Sequence, residues 1–193
     1  YTILWNTMQS SEDLFNLAAG DYSVEVTDAN GCIATTSVNI SDIPPISLGA
    51  TTLDVLCFGA NTGEIDLMPS GGSGNFNFSW EGPNNFSSNL EDNINLSAGN
   101  YFVTVSDAAG CTATLDLTLN QPANAVSAII GQTQMICHDA TNGTATVQAS
   151  GGVSPYSYEW SNGQIVETAT GLMGNIDYEV TVTDANGCEA IQA

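Results

Sequence analysis

Apolar and polar residues alternate along most of this chain, a period of two that predicts β-strands. In residues 101–105 the side chains of Tyr101, Val103 and Val105 fall on one face, and those of Phe102 and Thr104 on the other. Candidate strands in the middle of the chain run over 47–57, 63–69, 75–81, 88–96, 100–106 and 111–119. Gly71-Gly72, Gly82-Pro83, Ala98-Gly99 and Ala109-Gly110 separate them with turn chemistry. Helical periodicity is not apparent.

The strand pattern repeats. DANGC at Asp28–Cys32, DAAGC at Asp107–Cys111 and DANGC at Asp184–Cys188 stand 79 and 77 residues apart. Each follows an aromatic strand, DYSVEVT, NYFVTVS or DYEVTVT, carrying Tyr22, Tyr101 and Tyr178. One tryptophan precedes each, Trp5, Trp80 and Trp160, and a second cysteine recurs at Cys57 and Cys137, 80 residues apart. A period this long marks a tandem array of one small fold. The expected division is 1–43, the C-terminal part of a truncated unit; 44–122, a complete unit; and 123–193, a unit cut near its last strand. Both ends are then expected to be cuts through a longer array. Pro44-Pro45 and Gln121-Pro122 fall between units, where proline stiffens a joint.

Six or seven short strands in about 80 residues, with a tryptophan in a middle strand and a cysteine near the end, predict an all-β immunoglobulin-like sandwich. Trp5, Trp80, Trp160, Tyr22, Tyr101 and Tyr178 are its expected core residues. An aromatic platform for glycans is the competing reading of the tryptophans, but their place within alternating strands favours burial.

Charge narrows the partners. The 193 residues hold 21 Asp and Glu and no Lys or Arg, a formal charge of −21. A phosphate backbone needs Lys and Arg to release its counterions, so nucleic acid is not an expected partner. An anionic membrane surface is repelled in the same way, and no run of about 20 apolar residues is present to span one. Hydrophobic residues still make up 42% of the chain, enough for packed cores beneath an acidic surface. A trypsin-like protease finds no site, and an isopeptide crosslink finds no lysine.

With two cysteines per complete unit, the expected bridges are intradomain, Cys57 with Cys111 and Cys137 with Cys188, leaving Cys32 for a partner upstream. Closing loops of about 50 residues contributes roughly 4 kcal/mol each in the chain-entropy account. A metal site or reactive thiol is the alternative. No CxxC spacing occurs, and the one histidine, His138, has Phe58 at the equivalent position. Disulfides imply an oxidising, extracellular setting.

The segments SGG, PYSYEWSNG from Pro155 and GLMGNIDYEVTVTDANGC from Gly171 together resemble the SprB-type repeat of giant surface adhesins in gliding Bacteroidota. SGGSGNFNFSWEG and LSAGNYFVTVSDAAGC repeat the pattern in the middle of the chain, and LAAGDYSVEVTDANGC near its start. The resemblance implies a secreted, type IX exported, multi-repeat filament acting in attachment, gliding or cell contact. It does not say what is bound.

Chemistry is sparse. With no Lys or Arg, one His and no base recurring beside a serine, no enzymatic activity is expected. Glu91 and Asp92 are adjacent carboxylates, but neighbours on a strand face opposite sides. No cofactor is required. Calcium is possible, with Asp28, Asp107 and Asp184 as recurring candidate ligands and Asp42 and Asp139 near the joints. The competing reading makes Asp28, Asn30 and Gly31 a tight hairpin turn.

A structural stalk is therefore the leading expectation, its partners the other repeats of the same chain. The alternatives are a module that binds surface glycans or prey and host cells through loops such as 81–88 and 163–168, or a homo-oligomeric fibre.

Overall fold

A computed structural model describes residues 1–132 and 141–193; Cys137, His138 and Asp139 lie outside the described residues. The described chain is built of antiparallel strands, with one short 3-10 turn at Pro83–Asn85.

The middle of the chain supplies β4 (Ser47–Leu53), β5 (Gly63–Ser70), β6 (Asn77–Gly82), β7 (Phe86–Ser88), β8 (Asn93–Leu96), β9 (Gly99–Ser106) and β10 (Thr112–Leu119), after β1 (Thr2–Trp5), β2 (Gly20–Thr27) and β3 (Ile33–Ile40). Strands β4-β5-β8 form one sheet and β10-β9-β6-β7 another. This is an immunoglobulin-like strand order, in which the chain crosses repeatedly between two sheets. Between them pack Ile65, Leu67, Trp80, Leu96, Tyr101, Val103, Val105 and Leu119. On β9 the alternation predicts the burial: Tyr101, Val103 and Val105 are buried while Phe102 is 37% exposed.

The pattern recurs in β11 (Ser127–Gln132), β12 (Gly143–Ser150), β13 (Ser157–Trp160), β14 (Thr168–Leu172), β15 (Val180–Thr183) and β16 (Glu189–Gln192). Its sheets are β11-β12-β14 and β13-β15-β16, around Val147, Trp160, Ala169, Val180 and Val182. The first 43 residues form a single sheet, β1-β2-β3, equivalent to the β6-β9-β10 half of the middle sandwich. No second sheet among the described residues completes it, and of these 43 residues only Tyr22 is buried; Trp5 is half-buried and Val38 is 53% exposed.

Two expected strands come out shorter. The first ends at Leu53, so 54–57 belong to a loop, and the expected 88–96 strand splits into β7 and β8 because 89–92 cross from one sheet to the other. The crossing is fixed at both sides: Trp80 Nε1 donates to Leu90 O at 2.8 Å, and Leu67 N donates to Asp92 Oδ1 at 3.0 Å.

Strand direction decides which loops share an end. The pairings Leu53↔Glu64, Gly63↔Leu96 and Gly99↔Leu119 put the β4–β5 loop and the exit of β10 at one end of the middle sandwich. Asn77↔Ser106 and Ser106↔Thr112 put the β5–β6 loop and the β9–β10 turn at the other. The eight residues of β9 hold these ends about 23 Å apart at roughly 3.3 Å per residue.

Candidate functional site: a covalent junction between repeats

Each aspartate of the recurring signature organises the turn between the last two strands of its unit. Asp28 Oδ1 accepts the N–H groups of Asn30 and Cys32, both at 2.8 Å. Asp107 Oδ1 accepts those of Ala109 and Cys111 at 3.0 and 2.9 Å, and Asp184 Oδ1 those of Asn186 and Cys188 at 2.8 Å. Gly31, Gly110 and Gly187 each take φ near +80°, which lets the chain reverse within the turn.

In the two sandwiches the second carboxylate oxygen reaches across to the SGG corner. Asp107 Oδ2 accepts Ser73 N–H at 2.8 Å, and Asp184 Oδ2 accepts Val153 N–H at 2.8 Å. Gly72 and Gly152 lie against these oxygens with positive φ, so a side chain there would both strain the backbone and displace the carboxylate. Their N–H groups hold the incoming linker, Gly72 N donating to Pro44 O and Gly152 N to Asn124 O, each at 2.9 Å.

Asp107 and Asp184 are thereby buried, at 5% and 6% exposure. The Ser73 N–H, joined by those of Cys111 and Ala109 and the Ser73 hydroxyl, holds the Asp107 carboxyl below the usual carboxylate range against the opposing effect of burial. For Asp184 burial pushes upward most strongly, but the N–H groups of Val153, Cys188, Asn186 and Gly187 together outweigh it and the net shift is downward. Asp28, Asp107 and Asp184 thus sit one to a turn, with their oxygens turned to backbone donors. Among the described residues no three His, Cys, Asp or Glu side chains gather as a metal site. Asp42 is exposed in the first linker.

The cysteines depart from the expected pairing. Cys57 is bonded to Cys188, with S–S 2.00 Å and Cα–Cα 5.7 Å, across 131 residues and between the two sandwiches. Cys111, expected as the partner of Cys57, is free and exposed, as is Cys32. The expected pairing of Cys188 with Cys137 is likewise replaced. The reason is the direction of the strands: Cys57 lies in the β4–β5 loop and Cys111 in the β9–β10 turn, at opposite ends of one sandwich, whereas a disulfide needs Cα atoms within about 7 Å. The loop end of one unit meets the turn end of the next.

That junction is built to hold the loop. Val55, buried at 2%, donates its N–H to Asn120 O at 2.8 Å, Asn120 N donates to Asp54 Oδ1 at 2.8 Å, and Gly59 N donates to Gln121 Oε1 at 2.8 Å. The loop is thereby tied to the linker that leads into the next unit. From the far side Asn186 Nδ2 donates to Leu56 O at 2.9 Å, beside the disulfide. Phe58, Ala125, Val126 and Glu189 line the remaining cleft around the sulfurs.

The expected core aromatics are placed as follows. Trp80 and Trp160 are buried, and the indole N–H of each donates inside its own unit, to Leu90 O and Val166 O. Trp5 makes the same kind of bond to Ser11 O at 3.0 Å while half-exposed. Tyr22 and Tyr101 donate their hydroxyls to Ala18 O and Ser97 O, four residues upstream. Tyr178 is half-buried and accepts the Met173 N–H instead. Asp92, the neighbour of Glu91, accepts the Leu67 N–H and so completes a strand edge.

No curated protein matches the chain. Among solved structures it is similar to the N-terminal eight Ig domains of Down Syndrome Cell Adhesion Molecule isoform 1.30.30, at 12% identity and TM-score 0.41, covering 100% of this chain and 33% of that one. It is similar also to the N-terminal four Ig domains of Dscam1 isoform 6.44, at 11% identity and TM-score 0.29, covering 98% and 63%. This chain thus spans about a third of the length of the first structure and less than two thirds of the second. At such scores the fold assignment rests on the strand order given above. No helix among the described residues is long and apolar enough to cross a membrane. The SprB repeat family matches twice, at residues 49–85 and 131–165, from the first strand of each sandwich to just beyond its tryptophan strand. These two stretches are thus similar to the SprB repeat, a likeness consistent with a cell-surface structural or adhesion module.

Proposed function

We propose that this chain is a structural stalk segment of a secreted surface adhesin, in which sandwiches joined in series hold an adhesive part away from the cell or make up a filament. The observation that carries this reading is the Cys57–Cys188 bridge, because it joins successive units beside their linker and so restricts both bending and separation. A recognition domain needs no such bond between neighbours; a stalk gains stiffness from it. On this reading the units divide near residues 43 and 122, and the disulfide belongs to an oxidising extracellular compartment. Export by a type IX route and service in attachment, gliding or cell contact follow from the SprB likeness. The charge of −21 with no basic residue supports it as well, since like-charged rods repel one another sideways.

Electron microscopy of the oxidised chain tests the proposal. Two sandwiches at one fixed angle are expected, becoming a spread of angles after reduction; a spread of angles before reduction would sink it.

Direct recognition is the second reading, favoured by the 163–168 loop of the last unit. Gln164 pins it by two side-chain bonds to Thr170, at 2.9 and 3.0 Å, yet Ile165 at its tip is 77% exposed. A rigid loop with an apolar tip suits a contact, and glycan-array and cell-binding assays with Ile165→Ser test it.

A further inference from the structure

The turn that carries Cys188 exists three times, but its cysteine is bonded once. At Cys111 the surroundings match: the same aspartate holds the turn, the same glycine corner holds the turn and the linker, and the thiol is exposed at the same end of its sandwich. The linkers enter alike, Pro44 O on Gly72 N and Asn124 O on Gly152 N, so each is held at the same corner of the unit it enters. Two differences remain. The linker over 41–46 is one residue shorter than that over 120–126, and Ala109 stands where Asn186 bonds the neighbouring loop.

We propose that Cys111 is a covalent docking position that receives the loop cysteine of the unit preceding it in the same chain, as Cys188 receives Cys57. Cys57 lies 23 residues ahead of Trp80, and the proposal places the partner of Cys111 at that same offset from Trp5, outside the given residues. Forming the bond joins Sγ to Sγ, releases two protons and passes two electrons to a disulfide-bearing oxidant, which leaves as its dithiol. The consequence is topological. One covalent loop closes at Cys111 and the next opens at Cys57, so the two overlap across residues 57–111 and neighbouring units are interlocked rather than merely adjacent.

The proposal stands apart from the stalk reading, because interlocked repeats could equally present binding loops. Its test uses the longer natural chain, isolated without reductant, alkylated with iodoacetamide and cut with Asp- and Glu-specific proteases, since trypsin has no site in these residues. The expected product is a disulfide-linked peptide pair joining Cys111 to a loop cysteine upstream in a chain that runs as a monomer on a non-reducing gel. Alkylation of Cys111 before reduction, its linkage to Cys57, or its linkage to a second copy would each overturn the proposal. The stalk reading would fail separately, by a spread of angles in the oxidised form.

Discussion

Cys57 and Cys188 face each other across the junction of two sandwiches, joined through their sulfurs although 131 residues separate them in the chain. A tether of this kind changes what a pull on the two chain ends can reach. Force applied to the ends passes through the bridge and bypasses residues 58–187, which hold almost all of both sandwiches.

Single-molecule extension reads this directly. Fully extended, the bypassed segment of about 130 residues spans roughly 440 Å at about 3.4 Å per residue. The oxidised chain is expected to release a contour length shorter by about that amount than the reduced chain, and Cys57→Ser should behave as reduced under both conditions. Equal contour lengths in the two states would show that the bridge does not carry the load.

The two buried aspartates make the fold sensitive to acid. Each has a carboxyl held below the ordinary value near 3.9, so its contribution to stability is complete above that pH and is lost as pH falls through the lower, folded-state value. Thermal melts from pH 6 down to pH 2 are expected to show the melting temperature falling mainly below about pH 4. Asp107→Asn keeps the shape but turns an amide toward Ser73 N–H or the turn, and should lower the melting temperature of that unit by about 5 °C at neutral pH. The substituted unit should then lose less on acidification than the parent.

Tryptophan exposure separates the incomplete sheet from the sandwiches. Trp80 and Trp160 are 1% and 2% exposed, whereas Trp5 lies half-open on a sheet whose one buried residue is Tyr22. Iodide should quench one of the three emitters, and Trp5→Phe should abolish the quenchable fraction. Quenching that survives this substitution would mean that a sandwich core is open.

Much of this was legible from the alternation of side chains. Tyr101, Val103 and Val105 had to share a face, and the tryptophan one strand away had to meet them. The disulfide partner was not legible, because two cysteines per repeat fit a bond within a unit as well as one between units, and spacing does not distinguish them. Counting strand reversals would have helped: from Cys57 to Cys111 the chain crosses its sandwich an odd number of times, which leaves the two at opposite ends. The apolar residues Val55 and Leu56 continue the strand pattern past Leu53, although the strand ends there. The role of the recurring aspartates was half visible, since the turn follows from DxxGC, while their contacts with Ser73 and Val153 depend on a corner more than 30 residues upstream.

Asn93 and Ala169 occupy equivalent positions in the two sandwiches, Asn93 paired with Ile65 and Ala169 with Ala145. Asn93 is 5% exposed and its Nδ2 has no hydrogen-bond partner, whereas Ala169 is fully buried with no polar group to satisfy. A buried donor left without a partner costs about 1–3 kcal/mol, and the small cavity left on removing the amide recovers only part of that as a penalty. Asn93→Ala should therefore leave the middle unit as stable as before or up to about 1 kcal/mol more stable. The reverse change, Ala169→Asn, adds both volume and an unsatisfied amide and should cost the last unit about 2 kcal/mol. Denaturant unfolding of both variants decides the matter: a loss of more than about 1 kcal/mol in Asn93→Ala would mean that the amide is bonded after all, and that the middle sandwich depends on it.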